Sequence, residues 1–383
     1  MADQFFIPSK IISGKDALKS SMPILKEMGT KALIVCGPIV KKTGLVDKVT
    51  AVLEEAEIAY AVFAEITGEP TDVMIDEGMQ VYKKEDCDFL IGIGGGSPMD
   101  AIKAIGVMAV CGGKMSDYMG ISITESLPPM VAIPTTAGTG SEATQFTIIT
   151  DTKNDVKMLL KGETLVPDLA VIEPKLTVTA PPSVTSATGL DALTHAIEGY
   201  TSKKAQPLTD LFAVSAIKRI FANLPAAYQD GSDLAVREEM AMAALEAGIV
   251  INNSSVTIVH GMSRPIGALF HVPHGFSNAL LLYQCLEYVM DGAVDRFAVL
   301  GREIGVADST DQDELAAQKF VEAVKEICEI CDIKKPDGYG VDKEKFFEMM
   351  PKMAEDALAS GSPGNTRKEI TKEDIMEIYK RLW

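Results

Sequence analysis

Through roughly the first 180 residues, short apolar runs alternate with amphipathic stretches, and beyond that point the runs stop. No other feature of the chain constrains its fold as strongly. The segments ALIVC (32–36), AYAVFA (59–64), FLIGIGGG (89–96), PMVAIPTT (129–136), ATQFTIIT (143–150) and DLAVIEP (168–174) read as strands. Between them, VDKVTAVLEEA (46–56), EGMQVYKKEDC (77–87) and AIKAIGVMAV (101–110) carry the helical pattern. Such alternation predicts an α/β domain with a mostly parallel sheet and helices on both faces. After Pro181 and Pro182, apolar residues recur at spacings of three and four, which predicts an all-α second domain. The expected division is residues 1–180 and 181–383.

Composition narrows the partners. With Lys+Arg 36 against Asp+Glu 54, the formal charge is −18, which disfavours nucleic acid and anionic membranes. No apolar stretch approaches the eighteen or so residues of a membrane span, and the N-terminus lacks the basic and apolar regions of a secretory signal. Six cysteines are scattered, and the one CxxC, Cys328 and Cys331, lies in a helical pattern where core packing is the better reading. A reducing, cytoplasmic setting follows.

Histidine is scarce. There are four, and three of them, His260, His271 and His274, fall within fifteen positions, while His195 lies four residues after Asp191. A lone histidine usually satisfies a core hydrogen bond, but three imidazoles and a carboxylate are a ligand set for a divalent metal. Asp191 and His195 at i and i+4 project from one helix face, about 6 Å apart along the axis. His260 and His274 would be roughly 21 Å apart on an unbroken helix. Both can bind one ion only if the chain turns between them, and Pro265, Gly267 and Pro273 supply candidate breaks.

A second site candidate lies in the α/β half. FLIGIGGGSPMDAIKA (89–104) reads as strand, glycine-rich turn, then helix, with Ser97 as the expected N-cap and Pro98 as the first helical residue. Free N–H groups and the positive end of the dipole at such a helix start suit a pyrophosphate. The turn is not GxGxxG, so a purely structural tight turn is the alternative. The hydroxyl-rich stretch PTTAGTGSEAT (134–144), also just past a strand, favours the nucleotide. A cleft between the two halves would bring metal and nucleotide face to face.

GGGSPMD, PTTAGTGSEAT, GLDALTHAIEGY, HGMSRPIGALFHVPHGFSNALLL and the terminal NTRKEITKEDIMEIY, in this order, resemble the iron-containing (group III) alcohol dehydrogenases over essentially the whole chain. The resemblance implies an N-terminal Rossmann-like dinucleotide-binding domain, a helical metal-binding domain, a homodimer or larger homo-oligomer, and interconversion of small primary alcohols and aldehydes with NAD or NADP. By motif position it implies Asp191, His195, His260 and His274 as ligands of Fe²⁺, with Zn²⁺ as the alternative. It puts Gly95, Gly96 and Ser97, with Asp100 nearby, against the pyrophosphate. Thr135, Thr136 and Thr139 would meet the phosphates or nicotinamide, and Lys157 the ribose.

Two positions depart from the family pattern. Gly37 stands where many NAD-preferring members carry an aspartate for the adenosine ribose, so discrimination against a 2′-phosphate is removed. Arg264 stands four residues after His260, where many relatives have a second histidine. On the same helical face, its guanidinium would either grip the anionic tail of a substrate such as sulfoacetaldehyde or succinic semialdehyde, or pair with a carboxylate of the cleft wall. His271, the remaining histidine, is a candidate proton relay or a structural residue. Rival readings are a glycerol-dehydrogenase-like or dehydroquinate-synthase-like enzyme, whose ligand sets differ, and a non-catalytic nucleotide-binding scaffold, which has no need of an intact ligand set.

Overall fold

The computed structural model describes every residue except Met1, Ala2 and Asp155. The chain forms two compact units. One comprises Phe6–Ala180 together with Ser232–Gly248; the other comprises the described residues up to Phe5, Pro181–Gly231 and Ile249–Trp383. The chain passes from one unit to the other at Ala180, but Ser232–Gly248 groups with the α/β unit although it follows residue 181.

In the α/β unit the elements run β1 (Lys10–Ser13), α1 (Ala17–Ser20), α2 (Met22–Met28), β2 (Lys31–Cys36), α3 (Pro38–Lys42), α4 (Leu45–Glu55), β3 (Ala59–Phe63), α5 (Asp72–Lys84), β4 (Phe89–Gly94), α6 (Gly96–Val110), β5 (Met130–Pro134), β6 (Phe146–Asp151), β7 (Val156–Lys161) and β8 (Leu169–Ile172). Six strands make a parallel sheet in the order β1-β8-β5-β4-β2-β3. Side chains alternate between its faces. Ile34, Cys36, Ile91 and Ile93 enter one apolar core with α4, whereas Leu33, Val35 and Leu90 enter another with α6. Burial on both faces explains why these strands read as continuous apolar runs. The strand order reverses between β2 and β4, so Gly37 and the glycine-rich turn lie at the carboxyl ends of neighbouring strands, where ligands of such sheets bind.

Two details of this unit differ from expectation. The run at 143–150 does not join the sheet: β6 pairs antiparallel with β7, which the sequence reading missed, in a separate two-stranded sheet. A parallel return needs a long crossover, and here the link is a few residues tied by Asp151, whose carboxylate accepts from the Lys153 and Asn154 N–H groups. The edge strand β1 was also unanticipated; it has four residues and pairs only with β8.

A buried lysine joins α6 to the loop after β5. Lys103 Nζ is fully buried and lies 2.8–3.2 Å from five oxygens: the carbonyls of Ser141, Thr144 and Phe146 and the hydroxyls of Ser141 and Thr144. Burial pushes its ammonium down to about 8, with the Asp100 and Glu142 carboxylates opposing that shift. Burial pushes Glu142 up to about 7, against its own backbone N–H and the Lys103 charge. The cluster serves as an internal cation for a loop that lacks regular hydrogen bonding.

The second unit is helical, with no named strand among its described residues: α7 (Pro182–Thr201), α8 (Pro207–Gln229), α10 (Ile258–Phe270), α11 (His274–Val289), α12 (Val294–Glu303), α13 (Asp313–Ile330), α14 (Lys343–Ala359) and α15 (Lys372–Lys380). The boundary between units falls inside α9 (Leu234–Asn253). From Thr185 to Thr201, α7 is buried almost all round, the mark of a central helix. The buried Tyr379 packs edge-on against Phe346, and its hydroxyl donates to the Met262 carbonyl, fastening α14 and α15 to α10. Cys328 and Cys331 are buried free thiols whose surroundings push their pKa values up, in keeping with core packing. No single helix among the described residues is long and apolar enough to cross a membrane.

Glu142 gives the α/β unit a pH signature. Its folded pKa of about 7 lies above the ordinary glutamate value of 4.5, so its contribution to stability is complete below about 4.5 and is lost as pH rises through about 7. Glu142→Gln is expected to gain stability relative to the parent between pH 4.5 and pH 7, read by urea unfolding at several pH values. A difference that does not change with pH would contradict this.

Candidate metal centre and cofactor turn

Three helices bring four side chains to one point. Asp191 and His195 stand on α7 at i and i+4, His260 is the third residue of α10, and His274 is the first residue of α11. One ligand atom from each lies within 4.8 Å of all the others. Asp191 Oδ1 is 3.9 Å from His195 Nε2, 3.7 Å from His260 Nε2 and 3.6 Å from His274 Nε2. The His195 and His260 rings stack at 4.6 Å. Three of the four residues are at most 5% exposed, whereas the His274 side chain is 44% exposed, so the cluster is reached from the His274 side.

The chain turn between His260 and His274 is made differently from expectation. Pro265 and Gly267 lie inside α10 and do not end it. His271 ends it, in the left-handed conformation (φ 56°), with its N–H donating to the Gly267 carbonyl, and Pro273 then precedes α11. A histidine in that conformation is uncommon and needs local support. His271 is exposed and is not one of the four clustered residues.

Electrostatics favour a cation at the convergence. Burial alone would push the Asp191 carboxyl up, but three imidazoles and the Asn278 amide outweigh it and hold the group below the usual carboxylate range. Burial, reinforced by the neighbouring His195 and His274, drives His260 well below its ordinary value. One carboxylate and three imidazole nitrogens aimed at one spot are the donor chemistry of a divalent transition-metal site.

Two further residues, both missed from sequence, touch this set. Asn278, four residues after His274 on α11, donates from Nδ2 to Asp191 Oδ1 at 2.7 Å and lies 3.1 and 3.2 Å from the Nε2 atoms of His260 and His274. Glu198, seven residues after Asp191 on α7, is fully buried and lies 2.6 Å from His260 Nδ1. Both follow the helical spacing that links Asp191 to His195, and that spacing was the signal that could have found them. Arg264 is largely buried and donates to Ser362 Oγ at 3.1 Å. Burial works against its charge and Glu198 works for it.

In the α/β unit, the glycine-rich turn and the hydroxyl loop meet. The N-cap of α6 is Gly95 and the helix starts at Gly96, two residues earlier than the expected Ser97 and Pro98. Proline is tolerated throughout a first turn, where its missing N–H has no helical partner, so Pro98 did not fix the start. Gly94 has φ +150°, and a Cβ there would meet the Pro98 ring at 2.7 Å, so only glycine fits. A Cβ on Gly96 would lie 3.1 Å from Thr139, and one on Gly95 3.5 Å from Thr136. Thr135 is buried, and its N–H donates to the Gly94 carbonyl. Both Asp100 carboxylate oxygens are engaged, by Ser141 Oγ at 2.8 Å and the Ile148 N–H at 3.2 Å. Lys157, on β7, pairs with Glu69 at 2.7 Å. At Gly37, any Cβ would sit 2.8 Å from the Ile66 carbonyl oxygen, so an aspartate would fit only after the segment following β3 moved.

Comparison with known proteins matches residues 8–174 to the family described as Iron-containing alcohol dehydrogenase and residues 185–383 to Fe-containing alcohol dehydrogenase family, C-terminal. The chain is 38% identical to the NAD-dependent methanol dehydrogenase of Bacillus methanolicus, over 98% of each chain. It superposes on the crystal structure of a 1,3-propanediol oxidoreductase with a TM-score of 0.97, at 34% identity over 100% of both chains. A sulfoacetaldehyde reductase from Bifidobacterium kashiwanohense, solved in complex with NAD⁺, is similar at a TM-score of 0.88 and 26% identity, over 100% of this chain and 99% of that one.

Proposed function

The chain belongs to the iron-containing alcohol dehydrogenase family and is an alcohol dehydrogenase, and we propose that it interconverts a short-chain primary alcohol and its aldehyde in a metal-dependent, NAD(P)-linked reaction. The observation that carries this reading is the convergence of Asp191, His195, His260 and His274 within 4.8 Å. These four would hold the ion, Fe²⁺ or Zn²⁺. A bound divalent metal supplies Lewis acidity at the substrate oxygen, and a nicotinamide supplies or accepts the hydride. The remaining tasks fall to the chain itself. Free N–H groups at Gly96 and Ser97 bind the pyrophosphate, and Thr136 and Thr139 border that turn. Thr135 and Asp100 shape the turn from behind. Lys157, steadied by Glu69, meets the ribose. Gly37 offers no carboxylate against a 2′-phosphate, so both NADH and NADPH serve. The substrate hydroxyl proton leaves through His271, the histidine outside the ligand set. We also read the working enzyme as a cytoplasmic homodimer or larger homo-oligomer, on cysteine usage and family resemblance alone.

Arg264 refines the substrate class. With the ion (+2) offset by Asp191 and Glu198 (each −1), the Arg264 guanidinium leaves the centre with a net positive charge that suits an aldehyde with a carboxylate or sulfonate tail. Among the described residues its hydrogen bond to Ser362 engages Nη1, and the guanidinium fork carries further donors for such a tail.

A panel of neutral and anionic aldehydes, read by loss of NADH or NADPH, tests these assignments. Chelation is expected to abolish turnover and Fe²⁺ or Zn²⁺ to restore it; full activity in chelator refutes the metal reading, and an overwhelming preference for NADH refutes dual cofactor use. Arg264→Ala is expected to lower kcat/KM for anionic aldehydes about 10–100-fold, the worth of a charge-assisted hydrogen bond, and to spare neutral ones. Equal loss for both classes removes the anion grip. His271→Asn is expected to depress turnover most toward acidic and alkaline pH, and a parent-like pH profile excludes the relay.

A further inference from the structure

Glu198 is a buried carboxylate to which the proposed chemistry assigns only a share of the charge balance. Its Oε1 accepts from Thr257 Oγ1 at 2.8 Å and from the Val259 N–H at 2.6 Å, and its Oε2 lies 2.6 Å from His260 Nδ1. Thr257 is the N-cap of α10, yet its side chain makes no capping bond to its own helix. The carboxylate of α7 takes an orphan N–H of the first turn of α10 in its place. One side chain therefore caps α10 and touches the ring of the ligand that α10 carries.

We propose that Glu198 is a positioning residue that fixes the tautomer of His260. Burial pushes the Glu198 carboxyl up, and the Thr257 and Val259 donors on Oε1 oppose that shift. As a carboxylate Glu198 accepts at Oε2 too, and the 2.6 Å contact then places the ring proton on Nδ1. Nε2 then bears the lone pair. Asn278 Nδ2 gives one proton to Asp191 Oδ1 and faces His260 Nε2 at 3.1 Å and His274 Nε2 at 3.2 Å with the other, a contact that agrees with the same tautomer. The ring is held with its lone pair toward Asp191, His195 and His274, and rotation is blocked from both ends. This inference rests on the reading of the four residues as a metal site, because the tautomer is what makes Nε2 available to an ion.

Glu198→Gln tests it with little change in shape. The Val259 N–H can only donate, so it holds the glutamine oxygen, and the glutamine NH₂ must face His260 Nδ1. Nδ1 becomes the acceptor and the ring proton moves to Nε2, where it blocks ligation. With only four histidines in the chain, selective ¹⁵N-histidine labelling resolves the ring nitrogens. The parent chain, prepared metal-free, is expected to show His260 protonated at Nδ1, and Glu198→Gln to show it protonated at Nε2. Affinity for Co²⁺, measured by competition with a chelator, is expected to fall about 10–100-fold in the variant. Thr257→Val, which removes a donor to Glu198 but leaves the ring contact, is expected to bind Co²⁺ like the parent. An Nε2-protonated His260 in the parent, or parent-like Co²⁺ affinity in a folded Glu198→Gln, overturns the proposal. If Glu198→Gln does not fold, the parent spectrum alone decides. A parent chain that binds no Co²⁺ but shows the Nδ1 tautomer would sink the metal reading while leaving Glu198 in its positioning role.

Discussion

Lone pairs crowded together repel one another, and the helical unit is organised around a place where four residues, three of them buried, do this at once. Asp191, His195, His260 and His274 are aimed at a single spot from three helices. The Asn278 amide meets three of the four in this structure, and a cation would relieve the repulsion more fully. Helix placement follows from it. α7 is buried nearly all round because it must carry Asp191, His195 and Glu198 through the middle of its unit. α10 must end three residues before α11 starts so that His274 comes back beside His260, and the left-handed His271 achieves this at the cost of an uncommon backbone conformation.

The α/β unit solves a related problem with an opposite sign. The hydroxyl-rich loop after β5 and the start of β6 turn three carbonyls and two hydroxyls inward, and Lys103 supplies a fixed ammonium among these five oxygens. Asp100 ties the first turn of α6 to the same loop. The turn and the loop thus form one rigid piece, and preorganised N–H groups bind a phosphate better than mobile ones because less ordering remains to be done on binding.

What the sequence disclosed depended on the range of the interaction. Asp191 and His195, four apart on one helix, were legible from helical spacing, and the parallel strands were legible because burial on both faces makes them apolar throughout. Pairings between distant segments were not. β6 looks like a sheet strand until β7 is found beside it, and β7 alternates (exposed, buried) too weakly to stand out. Pro265 looked like a helix break but lies within α10, where the Tyr379 bond to Met262 and the surrounding packing hold the helix together. Glu198 and Asn278 were readable in principle, since each stands at helical spacing from a ligand. They went unnoticed because glutamate and asparagine are common and only their partners across the fold give them meaning.

The strongly acidic chain must still hold a dinucleotide, itself an anion, and on the present reading an aldehyde whose tail is anionic too. Range resolves the conflict. At physiological ionic strength exposed charges are screened beyond about 8 Å, so the net −18 acts weakly on a ligand already seated. Inside the sites the dielectric is lower and each nearby donor counts for more. On the proposed reading, the backbone N–H groups of Gly96 and Ser97 and the half-hidden Arg264 guanidinium would act over hydrogen-bond distances, where such donors outweigh a diffuse surface field. The same surface slows the approach of anionic ligands, an effect on association rate that salt relieves. Binding strength and encounter rate are therefore set by different charges, and the few local donors can be tuned without altering the acidic surface.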